Sequence, residues 1–117
     1  MANIQLHEPV LKSIYEGKGG VYRITKGAFV DCVNGEYRAH YHNVMLVRIT
    51  KERDRVYIDA MGGGNKVATQ IINAVLAAAG LDYGIETTKK GEAWLRKGNL
   101  HKHFYTTKFS IPITRGG

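Results

Sequence analysis

The feature that most constrains the fold is the segment Arg55–Gly80, in which an apolar strand pattern passes through a glycine turn into an amphipathic helix. The strand pattern covers Val56–Ala60, and Met61–Gly64 form the turn. Asn65 is expected to cap the helix and Gly80 to end it. Apolar residues then recur at the spacing that places them on one helix face. They form two adjacent rows, Val67, Ile71 and Val75 beside Ala68, Ile72, Leu76 and Ala79.

Shorter signals flank this segment. Leu6–Glu16 has Pro9 near its start and Gly17 past its end, which predicts a short helix. Asn34-Gly35 supplies the positive backbone angles of a tight hairpin between strands. We therefore expect an α+β fold in which an antiparallel sheet, a meander of hairpins, packs against one main helix. The strand patterns are Val21–Lys26, Ala28–Val33, Glu36–His42, Val44–Thr50, Val56–Ala60, Tyr83–Thr88, Ala93–Arg96 and Phe104–Ile113.

Length and hydropathy limit the class of protein. A chain of 117 residues has the size of one domain, so residues 1–117 are expected to fold as a single domain. No apolar run reaches the roughly 20 residues that span a bilayer, and we expect no membrane partner. Met1–Leu6 lacks a charged leader before an apolar block, which predicts a cytoplasmic protein. The single Cys32 lies in an apolar strand pattern, which favours a buried, inert thiol.

The net charge is the strongest functional indication. The chain has 17 Lys and Arg against 10 Asp and Glu, giving +7 at pH 7. Residues 81–117 contain seven of these basic residues and three of the acidic ones. A basic surface attracts phosphates and gives salt-sensitive affinity for nucleic acid. Charge that only keeps the protein soluble would use the same residues, so both interpretations stay open.

Basic and aromatic residues alternate between Trp94 and Tyr105. A sheet that binds single strands uses rings for stacking and cations for phosphate contact. The alternative is that the rings belong to the core and the charges protect an edge strand from aggregation. We favour nucleic-acid binding, with Tyr105 stacking on a base. The predicted contact residues are Lys89, Lys90, Arg96, Lys97, His101, Lys102, Tyr105 and Lys108.

The glycine turn is a candidate anion-binding site formed by Gly63, Gly64, Asn65 and Lys66. Glycines let a phosphate approach the backbone, and a helix N-terminus offers N–H donors and a partial positive charge. The run matches neither of the two common phosphate-binding glycine motifs. A flexible connection from strand to helix explains the glycines equally well.

Two histidine pairs, His40-x-His42 and His101-x-His103, have the spacing that puts both rings on one face of a strand. Four imidazoles could hold zinc or copper if those strands met. Neither pair has a Cys or carboxylate at a familiar metal spacing, so we predict no metal site and no other cofactor. Arg38 shares its strand face with His40 and His42, and this face is expected to be exposed.

A further pattern runs through the middle of the chain: paired short strands, a glycine turn, an Ile-Asn-x-x-Leu helix core and a Gly-Glu-x-Trp hairpin. The residues are Asn43, Val56–Ile58, Gly62–Gly64, Thr69, Ile72–Leu76, Gly91, Glu92 and Trp94. This combination resembles an uncharacterised family of small phage-encoded proteins. The resemblance implies a phage origin and a host-cytoplasm setting, and it implies no known active site.

The sequence contains neither paired carboxylates in a recognisable motif nor a nucleophile with its base, so we predict that the protein is not an enzyme. We expect a small basic phage-type protein that binds DNA or RNA mainly through phosphate contacts. The alternative function is a phage-encoded inhibitor or modulator of a host enzyme or defence protein. It would act in host takeover by protein–protein binding through the same basic face.

Overall fold

A computed structural model describes residues 6–18, 20–61, 66–87, 93–97, 100–104 and 108–113. Over these residues the chain forms two helices and nine strands, arranged in two antiparallel sheets. The predicted α+β class and the antiparallel meander are confirmed. The elements are α1 (Glu8–Tyr15), β1 (Tyr22–Thr25), β2 (Ala28–Val33), β3 (Glu36–Tyr41), β4 (Val44–Ile49), β5 (Arg55–Asp59), α2 (Lys66–Ala78), β6 (Tyr83–Thr87), β7 (Ala93–Lys97), β8 (Leu100–Phe104) and β9 (Lys108–Pro112).

The larger sheet has the strand order β1-β2-β3-β4-β5-β9, and the smaller sheet has the order β6-β7-β8. Strands β1 to β5 are consecutive neighbours, as expected for a meander, whereas β9 returns from far along the chain to pair with β5. The prediction of one last strand over Phe104–Ile113 is wrong. Strand β8 ends at Phe104 in the small sheet, and β9 begins at Lys108 in the large one. The segment is divided into two strands because β8 pairs with β7 in the small sheet, whereas β9 pairs with β5 in the large sheet.

Turn residues with positive φ connect the large sheet. Asn34 has φ 54° and Gly35 has φ 84°, which confirms the hairpin turn predicted between β2 and β3. The turn between β3 and β4 uses His42 at φ 46° and Asn43 at φ 67°. Strand β3 therefore ends at Tyr41, and the prediction that His42 continues the strand face is wrong because that residue takes a left-handed turn conformation.

The two helices begin and end close to the predicted positions. Pro9 lies in the first turn of α1, and Gly17, with φ 78°, follows its end. Gly80, also with φ 78°, follows α2. The predicted cap residue Asn65 lies outside the described residues. Neither described helix has the length and apolar character needed to cross a bilayer.

Both helices pack on one face of the large sheet, which we call the inner face. Tyr37 of β3 is fully buried there, and its hydroxyl donates a 3.1 Å hydrogen bond to the Leu11 carbonyl of α1. Burial raises the pKa of Tyr37 well above its ordinary value. Ile85 and Leu95 of the small sheet belong to the same apolar cluster. The other face of the large sheet carries the exposed side chains of Phe29, Val33, Met45 and Tyr57.

Asn73 connects α2 to the small sheet. Its side-chain amide donates a 2.9 Å hydrogen bond to the Ile85 carbonyl and accepts a 2.6 Å bond from the Ile85 amide. The helix pattern places this residue on the polar side of α2, opposite the apolar rows. Two hydrogen bonds from the polar side of α2 therefore fix the position of β6 against the helix.

Candidate nucleic-acid interface

The outer face of the large sheet lies opposite the helices and collects side chains from all six strands. Because side chains alternate along a strand, the outward positions flank buried ones such as Val30, Ala39 and Val56. Four large apolar residues of this face, Phe29, Val33, Met45 and Tyr57, are each 36% to 41% exposed. The outer sheet face comprises Arg23, Phe29, Asp31, Val33, Glu36, Arg38, His40, Met45, Arg48, Arg55, Tyr57, Asp59, Lys108 and Ser110.

Planar side chains pair across neighbouring strands on this face. Phe29 lies opposite His40, and the two rings stack with centroids 4.6 Å apart and planes 20° apart. Arg48 lies opposite Tyr57, with its guanidinium carbon 4.2 Å from the ring centroid. Both pairs follow from antiparallel register, which brings directly opposed residues together. Exposed rings and guanidinium planes are groups on which unpaired bases stack.

Carboxylates hold two arginines of the outer sheet face, Arg38 and Arg48, in place. Asp31, only 6% exposed, accepts a 3.1 Å hydrogen bond from Arg38 Nε, and its other oxygen lies 3.7 Å from His40 Nε2. Arg48 Nη1 donates a 2.8 Å bond to Glu36 Oε2. Burial lowers the pKa of His40, and the Asp31 carboxylate partly opposes that effect. The guanidinium groups of Arg38 and Arg48 therefore stand in fixed positions, with both signs of charge interspersed among the rings.

A cleft opens on this face where β4 separates from β5. The pairing of β3 with β4 shifts register between Ala39 and His40, and the extra residue, Leu46, is fully buried. Such a bulge bends its strand. The β4–β5 pairing ends at Val47 and Ile58, while Asp59 of β5 continues to pair with Lys108 of β9. The cleft has a volume of ≈ 630 Å³, and its lining includes Asn43, Met45, Tyr57, Asp59, Lys108 and Ser110.

The predicted contact residues are distributed between the two sheets. Lys108 is exposed at the rim of the cleft, with Nζ 4.0 Å from Asp59 Oδ2. Arg96 is half-buried in the small sheet, where its Nε lies 3.5 Å from Glu86 Oε1. Lys97, His101 and Lys102 belong to β7 and β8, with Arg96 opposite His101 in the register. Lys89, Lys90 and Tyr105 lie outside the described residues.

The candidate anion site is only partly described. Lys66 is the exposed first residue of α2, whereas Gly63, Gly64 and Asn65 lie outside the described residues. The predicted site at the helix start therefore stays a prediction.

The histidine pairs lie in different sheets. His40 is in β3 and His42 in the following turn, while His101 and His103 are in β8 of the small sheet. In the part of the chain that the structure describes, no three metal-binding side chains converge.

Cys32 is half-buried, and its Sγ lies 4.0 Å from Arg53 Nη2. The apolar strand pattern predicted a more deeply buried thiol. Cys32 sits near the end of β2, where the Arg53 side chain reaches it from the turn after β4. The sulfur therefore lies at the margin of the core, beside a cation from a distant turn.

Arg38 and His40 share a strand face opposite buried Tyr37 and Ala39, so the predicted alternation is confirmed. The prediction that this face is exposed is wrong for both side chains, which are half-buried because they pack against Asp31 and the ring of Phe29. Sequence reasoning did not single out Phe29, Arg48 or Tyr57. The available signal was the same alternation in β2, β4 and β5, where each of these residues is flanked by apolar neighbours that face the core.

No protein-family model, no curated protein and no solved structure matches this chain. The resemblance to small phage-encoded proteins therefore stays a hypothesis. The function has to be argued from the residues of the outer sheet face and from the charge of the chain.

Proposed function

We propose that the protein binds single-stranded nucleic acid on the outer sheet face and carries out no catalysis. The observation that supports this best is the pairing of exposed rings with planar polar side chains, Phe29 with the His40 imidazole and Tyr57 with the Arg48 guanidinium. Bases of a single strand are unstacked and can lie against such groups, whereas bases inside a duplex cannot. Stacking on one aromatic side chain contributes about 1–3 kcal/mol per base.

Phosphate contacts supply the rest of the affinity. Five basic side chains, Arg23, Arg38, Arg48, Arg55 and Lys108, lie on the outer sheet face, and the whole chain carries +7. Each phosphate neutralised by such a group releases bound counterions, so affinity falls as salt rises. In this proposal, the basic residues predicted in and near the small sheet, including Lys97 and Lys102, make further phosphate contacts.

We also propose a phage-type origin and a host-cytoplasm setting. This part rests on the resemblance of residues between Asn43 and Trp94 to small phage-encoded proteins. A protein that acts in that compartment meets single-stranded DNA and RNA during replication and transcription of a phage genome.

The test is fluorescence anisotropy of labelled single- and double-stranded DNA and RNA at about 50 and 200 mM salt. We expect single strands to bind more tightly, with affinity falling steeply with salt. Tyr57→Ala and Phe29→Ala should each weaken binding about tenfold because a stacking surface is removed. The double variant Lys97→Glu with Lys102→Glu should also weaken it.

Lys12→Glu is the matched control, because Lys12 is exposed on α1, away from the outer sheet face. It reverses one charge, as each of the two glutamate substitutions does, and should leave the affinity within about twofold of the unmodified protein, since a distant charge is screened by salt. Absence of binding at low salt, or an equal loss of affinity in Lys12→Glu and the Tyr57 variant, would refute the proposal.

A second candidate function is inhibition or modulation of a host protein. The outer sheet face also carries the carboxylates of Glu36 and Asp59 and the exposed side chains of Val33 and Met45. Tyr, Met and Arg are enriched at protein interfaces, and carboxylates repel phosphate. A pull-down from nuclease-treated host lysate distinguishes this function, since one retained protein that no longer binds after Tyr57→Ala would support it.

A further inference from the structure

We infer that the cleft between β4 and β5 holds one unpaired base of the bound strand and selects bases that carry an exocyclic amino group. The inference rests on the proposed function, because it assigns a base-reading site to the same outer sheet face. The site consists of an aromatic wall, a thioether wall and a carboxylate at the rim of the cleft.

Tyr57 and Met45 provide the walls. Both line the cleft and are 39% and 38% exposed, respectively. Arg48 stacks over one face of the Tyr57 ring, so a base in the cleft uses the remaining ring surface. A thioether is polarizable and makes favourable contacts with aromatic rings. In this inference Tyr57 stacks on the base, and the Met45 thioether contacts it from the β4 side of the cleft.

The size of the cleft fits one nucleotide. Its volume of ≈ 630 Å³ lies within the range of about 300–1,000 Å³ that is typical of small-molecule sites. The separation of β4 from β5 opens it toward the outer sheet face, along which the rest of the strand would run. A base enters only after it has left its stack, which makes the site specific for unpaired nucleotides.

Asp59 supplies the selectivity. Its Oδ1 accepts a 2.9 Å hydrogen bond from the Met61 amide, which fixes the carboxylate, and its Oδ2 lies 4.0 Å from Lys108 Nζ. An Asp carboxylate accepts a hydrogen bond from the amino group of cytosine. Adenine also carries an exocyclic amino group, whereas thymine and uracil present a carbonyl oxygen that the carboxylate repels. Lys108 lies beside this position, where a cation can contact the phosphate of the inserted nucleotide.

The first experiment compares oligodeoxycytidine with oligothymidine of equal length at one salt concentration, by anisotropy. We expect the cytidine strand to bind about tenfold more tightly, as one good base contact allows. Asp59→Asn keeps the oxygen that holds the Met61 amide but adds a donor, so this difference should disappear. Asp82→Asn, which changes an exposed residue outside the sheets, should retain it.

The second experiment places 5-iodocytosine in the strand and identifies photo-crosslinked residues by mass spectrometry. We expect adducts at Tyr57 or Met45, and a lower yield with Met45→Ala than with Val33→Ala, since Val33 is equally exposed but does not line the cleft. Equal affinity for both strands together with adducts only elsewhere would overturn the inference and leave salt-dependent strand binding intact. Failure of every strand to bind would overturn the proposed function as well.

Discussion

Arg53 ties three separate parts of the chain together, and its replacement tests how the large sheet is held to α1. Its Nη1 donates hydrogen bonds to the carbonyls of Gly35 at 2.6 Å and Thr50 at 2.9 Å. Its Nη2 donates a 2.8 Å bond to the carbonyl of Tyr15, the last residue of α1, and the guanidinium carbon lies 4.5 Å from the Tyr15 ring centroid. One side chain thus joins a helix end, a hairpin turn and the end of β4.

The expected cost of Arg53→Ala follows from these contacts. Hydrogen bonds from a charged donor contribute about 1.5–3 kcal/mol each, but water can replace part of that contribution at a half-exposed site, so we take about 1 kcal/mol for each of the three. The cation–π contact adds about 0.5–1 kcal/mol. The free energy of unfolding should therefore fall by about 3–4 kcal/mol, a large fraction of the 5–15 kcal/mol typical of a domain.

A second variant separates the guanidinium from the backbone. Arg53 has φ 59°, in the left-handed region where a residue with a Cβ is strained. Arg53→Gly removes the same contacts, but glycine adopts a positive φ without strain. This variant should therefore be destabilised by about 1 kcal/mol less than Arg53→Ala. Urea unfolding followed by far-UV circular dichroism measures both.

Arg23→Ala serves as the control, because Arg23 is exposed on β1, and it should change stability by less than about 0.5 kcal/mol. Two results would refute the reasoning: a decrease below about 1 kcal/mol in Arg53→Ala, or an equal decrease in the control. If Arg53→Gly were the less stable of the two Arg53 variants, the positive φ of Arg53 would not be a source of strain in Arg53→Ala.

Three further predictions concern the core, the connection between α2 and the small sheet, and pH. Ile71→Ala should cost about 2–5 kcal/mol in urea unfolding and Ile71→Asp should unfold the domain, because Ile71 is fully buried. Asn73→Ala should lower the unfolding midpoint, and Asn73→Asp should lower it too, since a carboxylate cannot donate to the Ile85 carbonyl. Burial lowers the pKa of His40, so on acidification the unfolded chain binds the proton first and the native state loses stability below about pH 6.5. His40→Gln should remove that part of the pH dependence, and an unchanged slope would contradict this assignment.

Local signals explain why so much of the fold follows from the sequence. Asn34-Gly35, Pro9 and Gly80 act within a few residues of the turn or helix end that they specify, and each is found where the pattern predicts it. Alternation of apolar and polar residues predicts the strands of the hairpins. Their pairing follows as well, because a strand in a meander pairs with its nearest neighbour in sequence. The ends of strands are less well determined, as His42 illustrates.

The pairing of β9 with β5 has no local signal. Nothing near Lys108 or Ile111 indicates that their partners are Asp59 and Val56 rather than residues of β8. The choice depends on which apolar face fits the shared core, and that is a property of the assembled sheet.

The outer sheet face was equally hard to predict for the same reason. Its rings and cations come from strands that are separated in sequence, with Phe29, Arg48 and Tyr57 each isolated in its own strand. The run from Trp94 to Tyr105 is contiguous and therefore attracts attention in a linear sequence. Alternation identifies the outward positions of each strand, but only the register of the sheet shows which of them meet.

The position of β9 also bears on how the chain folds. Strands β1 to β5 can pair in sequence order, but β5 keeps an unpaired edge until α2 and the whole small sheet have been traversed and β9 arrives. Closing so distant a contact is entropically costly, and topologies rich in such contacts fold slowly. During that interval the free edge of β5 is open to pairing with another chain, so truncation or weakening of β9 should first be visible as association rather than as loss of helix.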